Sequence, residues 1–350
     1  MIFNISAMKH TIAFILLTFT FAFISCKDLV VTEPSVNTNP ADFEKVWSEV
    51  NRVYPFFQLK HINWDSVYAL YNPLAEKAKG DDGFKILFNL LSILKDCHVS
   101  ITTLGGEEIE TYIPPRTLRD RLTFDPITVR RYFNHELKIA GGGRFEYEML
   151  PDSIGYIRIA SFAEGNWIND FDAILDYLRY TKGLIIDVRN NPGGTIYQLE
   201  FVADRFVDTT IQYLPYYSRI FSESFPSFYP RGPFTYKNPV AVLINGVSCS
   251  ASEHFTEIMK QLPNVTAIGD TTAGGGGNGG GNGGDRFELP GGRYVQISTA
   301  DYRRYDGVSI EWNGVPPDIT VMQTEEDVKN GHDLQLERAI KLLKEKADLR

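Results

Sequence analysis

Two short runs in this chain offer almost no polar alternation, and that limits how they can fold. Gly183-Leu-Ile-Ile-Asp-Val188 and Val240-Ala-Val-Leu-Ile244 are apolar at nearly every position. Runs of this length without a period of two read as strands covered on both faces, which implies a parallel sheet with helices on either side. Each run ends in a break, Arg189-Asn-Asn-Pro-Gly-Gly194 and Asn245-Gly246, and each break leads into helical spacing, from Thr195 to Val207 and from about Ser252. Ile154-Gly-Tyr-Ile-Arg-Ile-Ala160 adds a strand, and Trp167, Ile168, Phe171, Ile174, Leu175 and Leu178 mark an amphipathic helix. The alternation predicts an α/β core over 154–350 with crossover connections, closed by a helix from about Asp333 to Lys346.

Upstream the pattern changes. Phe43, Val46, Trp47, Val50 and Tyr54 form one helical stripe, and Phe84, Leu87, Phe88, Leu91 and Leu94 form another. They predict a helical N-terminal subdomain over 41–98. Residues 99–153 read as short strands and connections.

The first residues address the chain. Lys9 and His10 precede an apolar stretch from Ile12 to Ile24, too short for a comfortable membrane span, and Ser25-Cys26 follows. Residues 1–25 therefore read as a signal peptide. Phe23-Ile24-Ser25-Cys26 resembles a bacterial lipobox with Phe in place of the usual Leu, which makes Cys26 the lipid attachment site and 26–40 a tether. The expected location is the bacterial cell envelope, periplasmic or surface-facing. A cleaved leader with an incidental cysteine is the plainer alternative.

A net charge of -9 argues against nucleic acid as a partner. Only Cys97 and Cys249 remain after Cys26, too few for a disulfide framework, and no HExxH or CxxC pattern is present. Neither a metal nor a cofactor is expected. The glycine run at 274–284 fits a nucleotide-loop pattern by chance, lacks a following Gly-Lys-Ser/Thr, and reads as a mobile loop.

Two segments carry chemistry. After the 240–244 run comes Val247-Ser-Cys-Ser250-Ala-Ser-Glu253. Ser250 with Glu253 fits a simple capping box. The same position also gives a nucleophile a neighbouring backbone N–H and a favourable helix dipole. The glycines at 193 and 194 could simply turn the chain, or could leave backbone N–H groups uncovered for an oxyanion.

Together, a strand ending D-x-R-x-N-x-G-G and a later strand leading to S-x-S-A-S-E resemble peptidase family S41, over roughly residues 84 to 320. This family includes carboxyl-terminal processing proteases, the tricorn core and retinoid-binding relatives. The resemblance implies a fold like Clp protease and the crotonases, with repeated strand-strand-helix units. It also implies Ser250 as nucleophile, and an oxyanion hole from the N–H of Ala251 and of Gly193 or Gly194. One branch places a catalytic Lys where this chain has Gly275, so that dyad is excluded. The tricorn-like branch uses a His and a Glu, and Leu94-Lys-Asp-Cys-His98 and Glu311-Trp-Asn-Gly-Val-Pro-Pro-Asp318 resemble its segments. His98 is then the base and Glu311 its supporting carboxylate. That branch has a Ser before the His as a link, and here the residue is Cys97. A Cys97–Cys249 bridge is not expected, because neighbouring side chains on an extended segment diverge. The 99–153 interval is too short for the PDZ domain that many relatives insert.

The resulting expectation is a serine peptidase acting on peptides or unfolded proteins through an acyl-enzyme, held at a membrane by its N-terminal lipid. The alternative is an inactive lipoprotein of the same fold that binds a peptide or apolar ligand. An ester-directed acyl transferase and an envelope scaffold are weaker rivals.

Overall fold

The structure is a computed structural model, and it describes residues 40–221, 227–279 and 284–348. The leader, Cys26 and nearly all of the tether lie outside the described residues.

The two apolar runs are neighbours at the centre of a seven-stranded sheet. Strands Ile154–Ile159, Gly183–Asp187, Val240–Ile244, Val265–Gly269 and Ile319–Thr320 run parallel. Phe145–Leu150 and Lys138–Ala140 extend one edge antiparallel. Side chains along the central strands alternate between two cores, and this accounts for the missing polar positions. Leu184, Ile186, Val242 and Ile244 pack under the helices Ile168–Tyr177, Ile196–Ala203 and Ala251–Met259. Ile185, Ala241 and Leu243 face the opposite way, onto Leu336, Ala339 and Leu343 of the helix Leu334–Asp348. This mixed α/β arrangement is the class that the sequence predicts.

The helical stripes near the N-terminus form Pro40–Val53, Trp64–Ala75 and Asp82–Ser92. Their apolar faces do not close on one another alone. Phe43, Val50, Leu87 and Leu91 share a core with Ile101, Val295 and Ile297. The last three belong to a separate four-stranded sheet, in the order Asp285–Glu288, Tyr294–Ile297, Ser100–Thr102, Glu108–Glu110. Pairing of Ser100 with Gln296 therefore fixes the turn before it, which carries His98, against a segment some 200 residues downstream.

The first half of the D-x-R-x-N-x-G-G segment is structural. Arg189 is fully buried. Its guanidinium donates to both oxygens of Asp187 at 2.9 and 2.6 Å and to both of Asp333 at 2.8 and 2.9 Å. The clamp ties the end of a central strand to the start of the final helix, where Asp333 Oδ1 also accepts the Leu336 N–H.

The glycine run departs from the reading of a mobile loop. Residues 274–278 are buried. Glu253 accepts the N–H groups of Gly274 and Gly275 at 2.8 and 2.9 Å, and Glu311 accepts that of Gly276 at 2.9 Å. A side chain at Gly276 would place its Cβ 2.1 Å from the Glu311 nitrogen. Close approach of two backbones, rather than freedom, is what requires glycine here. Residues 280–283 lie outside the described residues.

Candidate active site

Ser250 stands at the junction of the strand Val240–Ile244 and the helix Ala251–Met259. Its φ is 55° with ψ -120°, a conformation that costs a non-glycine residue about 1–3 kcal/mol. Glu253 Oε2 accepts the Ser250 N–H at 2.9 Å, as in a capping box, and the same carboxylate holds the glycine strap. The Ser250 hydroxyl lies 3.0 Å from His98 Nε2. Two residues 152 positions apart are thus within hydrogen-bond reach, which is the relation of a nucleophile to its base.

The loop that carries the glycines is built against this turn. The Asn191 carbonyl accepts the Cys249 N–H at 3.1 Å and the Ser252 hydroxyl at 3.0 Å. Asn191 Oδ1 accepts the Gly193 N–H at 2.8 Å, so that donor is turned away from the nucleophile. Gly193 itself supplies space. At φ 102° its added Cβ would lie 2.8 Å from Ser250 Cβ and 2.9 Å from the Ala251 nitrogen. Gly194 lines the cleft in front of Ser250.

Glu311 is buried, but it does not sit beside the imidazole. Its Oε1 accepts from Lys60 Nζ at 2.6 Å and its Oε2 from the Gly276 N–H at 2.9 Å. Lys60 also donates to the Tyr54 hydroxyl and to the carbonyls of Leu94 and Lys95. This buried pair secures the turn that leads to His98. The carboxylate near the ring is Asp96, whose Oδ1 lies 3.8 Å from His98 Nδ1 and accepts the His98 N–H at 2.8 Å. Sequence reading passed over both Asp96 and Lys60. Asp96 lies in the Leu94–His98 segment, and its place two residues before the histidine is the signal that marks it.

Cys97 lies 3.8 Å from His98 Nδ1, and its sulphur is 3.7 Å from that of Cys249. Both thiols are free. The expectation that Cys249 and Ser250 diverge assumes an extended segment, whereas Ser250 has a positive φ, with Cys249 Sγ against Cys97 and the Ser250 hydroxyl against His98. A Cβ at Gly275 would sit 2.6 Å from Cys249 Sγ and 2.7 Å from Cys97 Sγ. The two sulphurs occupy the place from which a lysine at 275 would have to start.

Burial presses His98 toward neutrality, while Cys97, Asp96 and Glu253 lift the ring to about 9. Cys97 contributes only as a thiolate, which Cys249 and burial disfavour, so Asp96 and Glu253 are the charges that act at neutral pH. Burial, with Asp96, pushes Glu311 up to about 8, against the pull of Lys60. His254, on the nucleophile helix, is held neutral by burial at about 3 and bonds the Tyr213 hydroxyl at 2.7 Å, a packing role.

The cleft in front of Ser250 measures about 490 Å³ and is lined by His98, Ile113, Val247, Glu110 and Glu164 among others. A larger cavity of about 820 Å³, bordered by Tyr54, Phe57, Tyr217 and Arg219, includes none of the candidate catalytic groups. Chemistry, not size, selects the smaller one.

Several known proteins are similar to this chain. The model of peptidase family S41 matches residues 153–321, and that of the tricorn protease C1 domain matches 36–92. A candidate peptidase from Parabacteroides merdae ATCC 43184 has a solved structure with a TM-score of 0.75 at 31% identity, over 87% of this chain and 97% of that one. A carboxy-terminal-processing protease of Bartonella bacilliformis is 30% identical over 53% of this chain and 43% of its own length. Tricorn protease homolog 1 of Streptomyces coelicolor is 30% identical over 71% of this chain and 21% of its own. The chain thus spans less than half the length of these two curated relatives.

Proposed function

The chain belongs to peptidase family S41, and on that premise we propose that it is a serine peptidase with Ser250 as nucleophile and His98 as general base. The observation that carries the reading is the 3.0 Å approach of Ser250 Oγ to His98 Nε2 at the wall of a cleft. His98 takes the hydroxyl proton as the serine oxygen attacks a peptide carbonyl. The N–H group of Ala251, first residue of the helix Ala251–Met259, receives the oxyanion. Asp96 and Glu253 favour the imidazolium that forms, and Glu311, through Lys60 and Gly276, holds the frame around it. His98 then protonates the leaving amine, and water resolves the acyl-enzyme by the same path.

Glu110 and Glu164 are the charged side chains among the cleft's lining residues besides His98. Substrates with neutral or basic side chains near the scissile bond suit this surface better than acidic ones. With Cys26 lipidated, the domain works at an envelope membrane, and a Cys26→Ser chain is expected to leave the membrane fraction on cell lysis.

Casein digestion in the presence of an organophosphonate tests the reading. The expected result is cleavage that stops as one adduct forms on Ser250, with product ends rich in neutral and basic residues. An adduct elsewhere with cleavage abolished, or cleavage untouched by the adduct on Ser250, would overturn the assignment.

A base raised to about 9 also sets a pH dependence. Only the neutral ring accepts the proton, so kcat/KM is expected to climb about tenfold per pH unit below that value and level off above it. Asp96→Asn removes a charge that favours the imidazolium, so the limb should move to lower pH, together with a drop in the plateau on the order of tenfold. An unmoved limb would show that Asp96 does not act on the ring.

A further inference from the structure

We propose that Asp96, Cys97, His98 and Cys249 form an inhibitory site for a thiophilic divalent cation, zinc above all, which switches the peptidase off by fixing the proton on His98 Nε2. The binding half stands on the geometry alone, and the inhibitory half rests on the peptidase reading.

Asp96, Cys97 and His98 each offer a ligand atom, and the three atoms lie within 4.8 Å of one another. Cys97 Sγ is 3.8 Å from His98 Nδ1, which is 3.8 Å from Asp96 Oδ1. Cys249 Sγ, 3.7 Å from Cys97 Sγ, joins as the fourth ligand by rotation of its side chain. Tetrahedral zinc with bonds of about 2.0–2.3 Å separates its ligand atoms by roughly 3.3–3.8 Å, so the Cys97–His98, His98–Asp96 and Cys97–Cys249 spacings already match what it requires. A second observation points to a ligand. Asp96 is fully buried, and its Oδ2 makes no hydrogen bond of full geometry among the described residues, although the Tyr54 hydroxyl approaches the carboxylate. A carboxylate oxygen left in this state is costly unless a cation comes to it. Such a cluster leaves no zinc motif in the sequence, because three ligands are consecutive and the fourth comes from a turn 152 residues away.

The consequence for His98 follows from imidazole chemistry. A metal on Nδ1 takes that nitrogen's lone pair, so the neutral ring carries its proton on Nε2. Nε2 then donates to Ser250 Oγ and cannot accept from it, and the base is lost. Binding displaces one proton from each thiol and, where the ring is cationic, the Nδ1 proton; all go to solvent.

The test uses the full chain with Cys26→Ser, so that Cys97 and Cys249 are its only thiols. Zinc and cadmium are titrated separately, with ion stoichiometry, thiol alkylation and cadmium–thiolate charge-transfer absorbance as readouts beside casein hydrolysis. The expected result is one ion per chain, both thiols protected, and hydrolysis reduced at least about tenfold in step with occupancy and restored by a chelator. Adding Cys97→Ser and Cys249→Ser should abolish the binding, the absorbance and the zinc sensitivity. Free thiols that alkylate equally with and without zinc, or a double variant that remains as sensitive, would overturn the site, as would an isolated protein with Cys97 and Cys249 already bridged. A chain that binds one ion through both thiols yet never cleaves casein would support the metal site and remove the peptidase reading.

Discussion

Ser250→Ala is expected to lower kcat/KM for casein hydrolysis by about 10⁴–10⁶-fold, His98→Ala by a similar factor, and the double variant by no more than either alone. The non-additivity is the informative part. Ser250 and His98 come from segments 152 residues apart and meet through one 3.0 Å contact, so removal of either partner leaves the other without a task. What remains comes from the cleft and from the N–H groups near Ala251, which bind the substrate carbonyl without a nucleophile. Stability should move the opposite way at position 250. The φ of 55° that aims the hydroxyl is strained for serine and ordinary for glycine. Ser250→Gly is therefore expected to melt above the parent while being inactive, the signature of a site that retains strain for function. Two losses that multiplied, or a Ser250→Gly variant that melted lower, would show that the residues act separately or that the turn is not strained.

The sequence made the central sheet legible because burial on both faces leaves a local mark. Ile185 and Ile186 point to different cores, and neither position tolerates a polar residue. Ser250 and the glycines were legible for a related reason, since a helix start after a buried strand is written in adjacent residues. The support around His98 was not. Lys60 meets Glu311 across 251 positions, and no spacing rule connects them. Glu311 is expected from its own segment to support His98, but its hydrogen bonds run to Gly276 and to Lys60, and Lys60 lies in the helical segment. The glycine run misled because composition alone cannot distinguish a loop without contacts from a strap with every side chain excluded. Gly275 and Gly276 belong to the second kind, held by Glu253 and Glu311.

Arg189→Met is expected to destabilise the fold by about 3–5 kcal/mol, read as a lower urea midpoint, because it leaves Asp187 and Asp333 buried with no cation between them. The penalty belongs to the uncompensated charges rather than to a lost attraction. Asp187→Asn and Asp333→Asn added to Arg189→Met should therefore recover much of the loss. Asparagine can still accept the Tyr156 hydroxyl at 187, which bonds Asp187 Oδ2 at 2.9 Å, and the Leu336 N–H at 333. The kinetic consequence separates two halves of one motif. Arg189 touches neither Ser250 nor His98, and its hydrogen bonds run to Asp187, Asp333 and Gln335. The folded triple variant should thus keep the rising limb of the pH profile, below about 9, that is expected of His98, even if kcat falls as the loop at 191–194 loosens. Gly193→Ala, four residues on, should do the reverse, since its methyl group would enter the space before Ser250 while the clamp stays intact. If Arg189→Met costs less than about 1 kcal/mol, the clamp does not hold the strand to the final helix, and the buried charge would need a role nearer the chemistry.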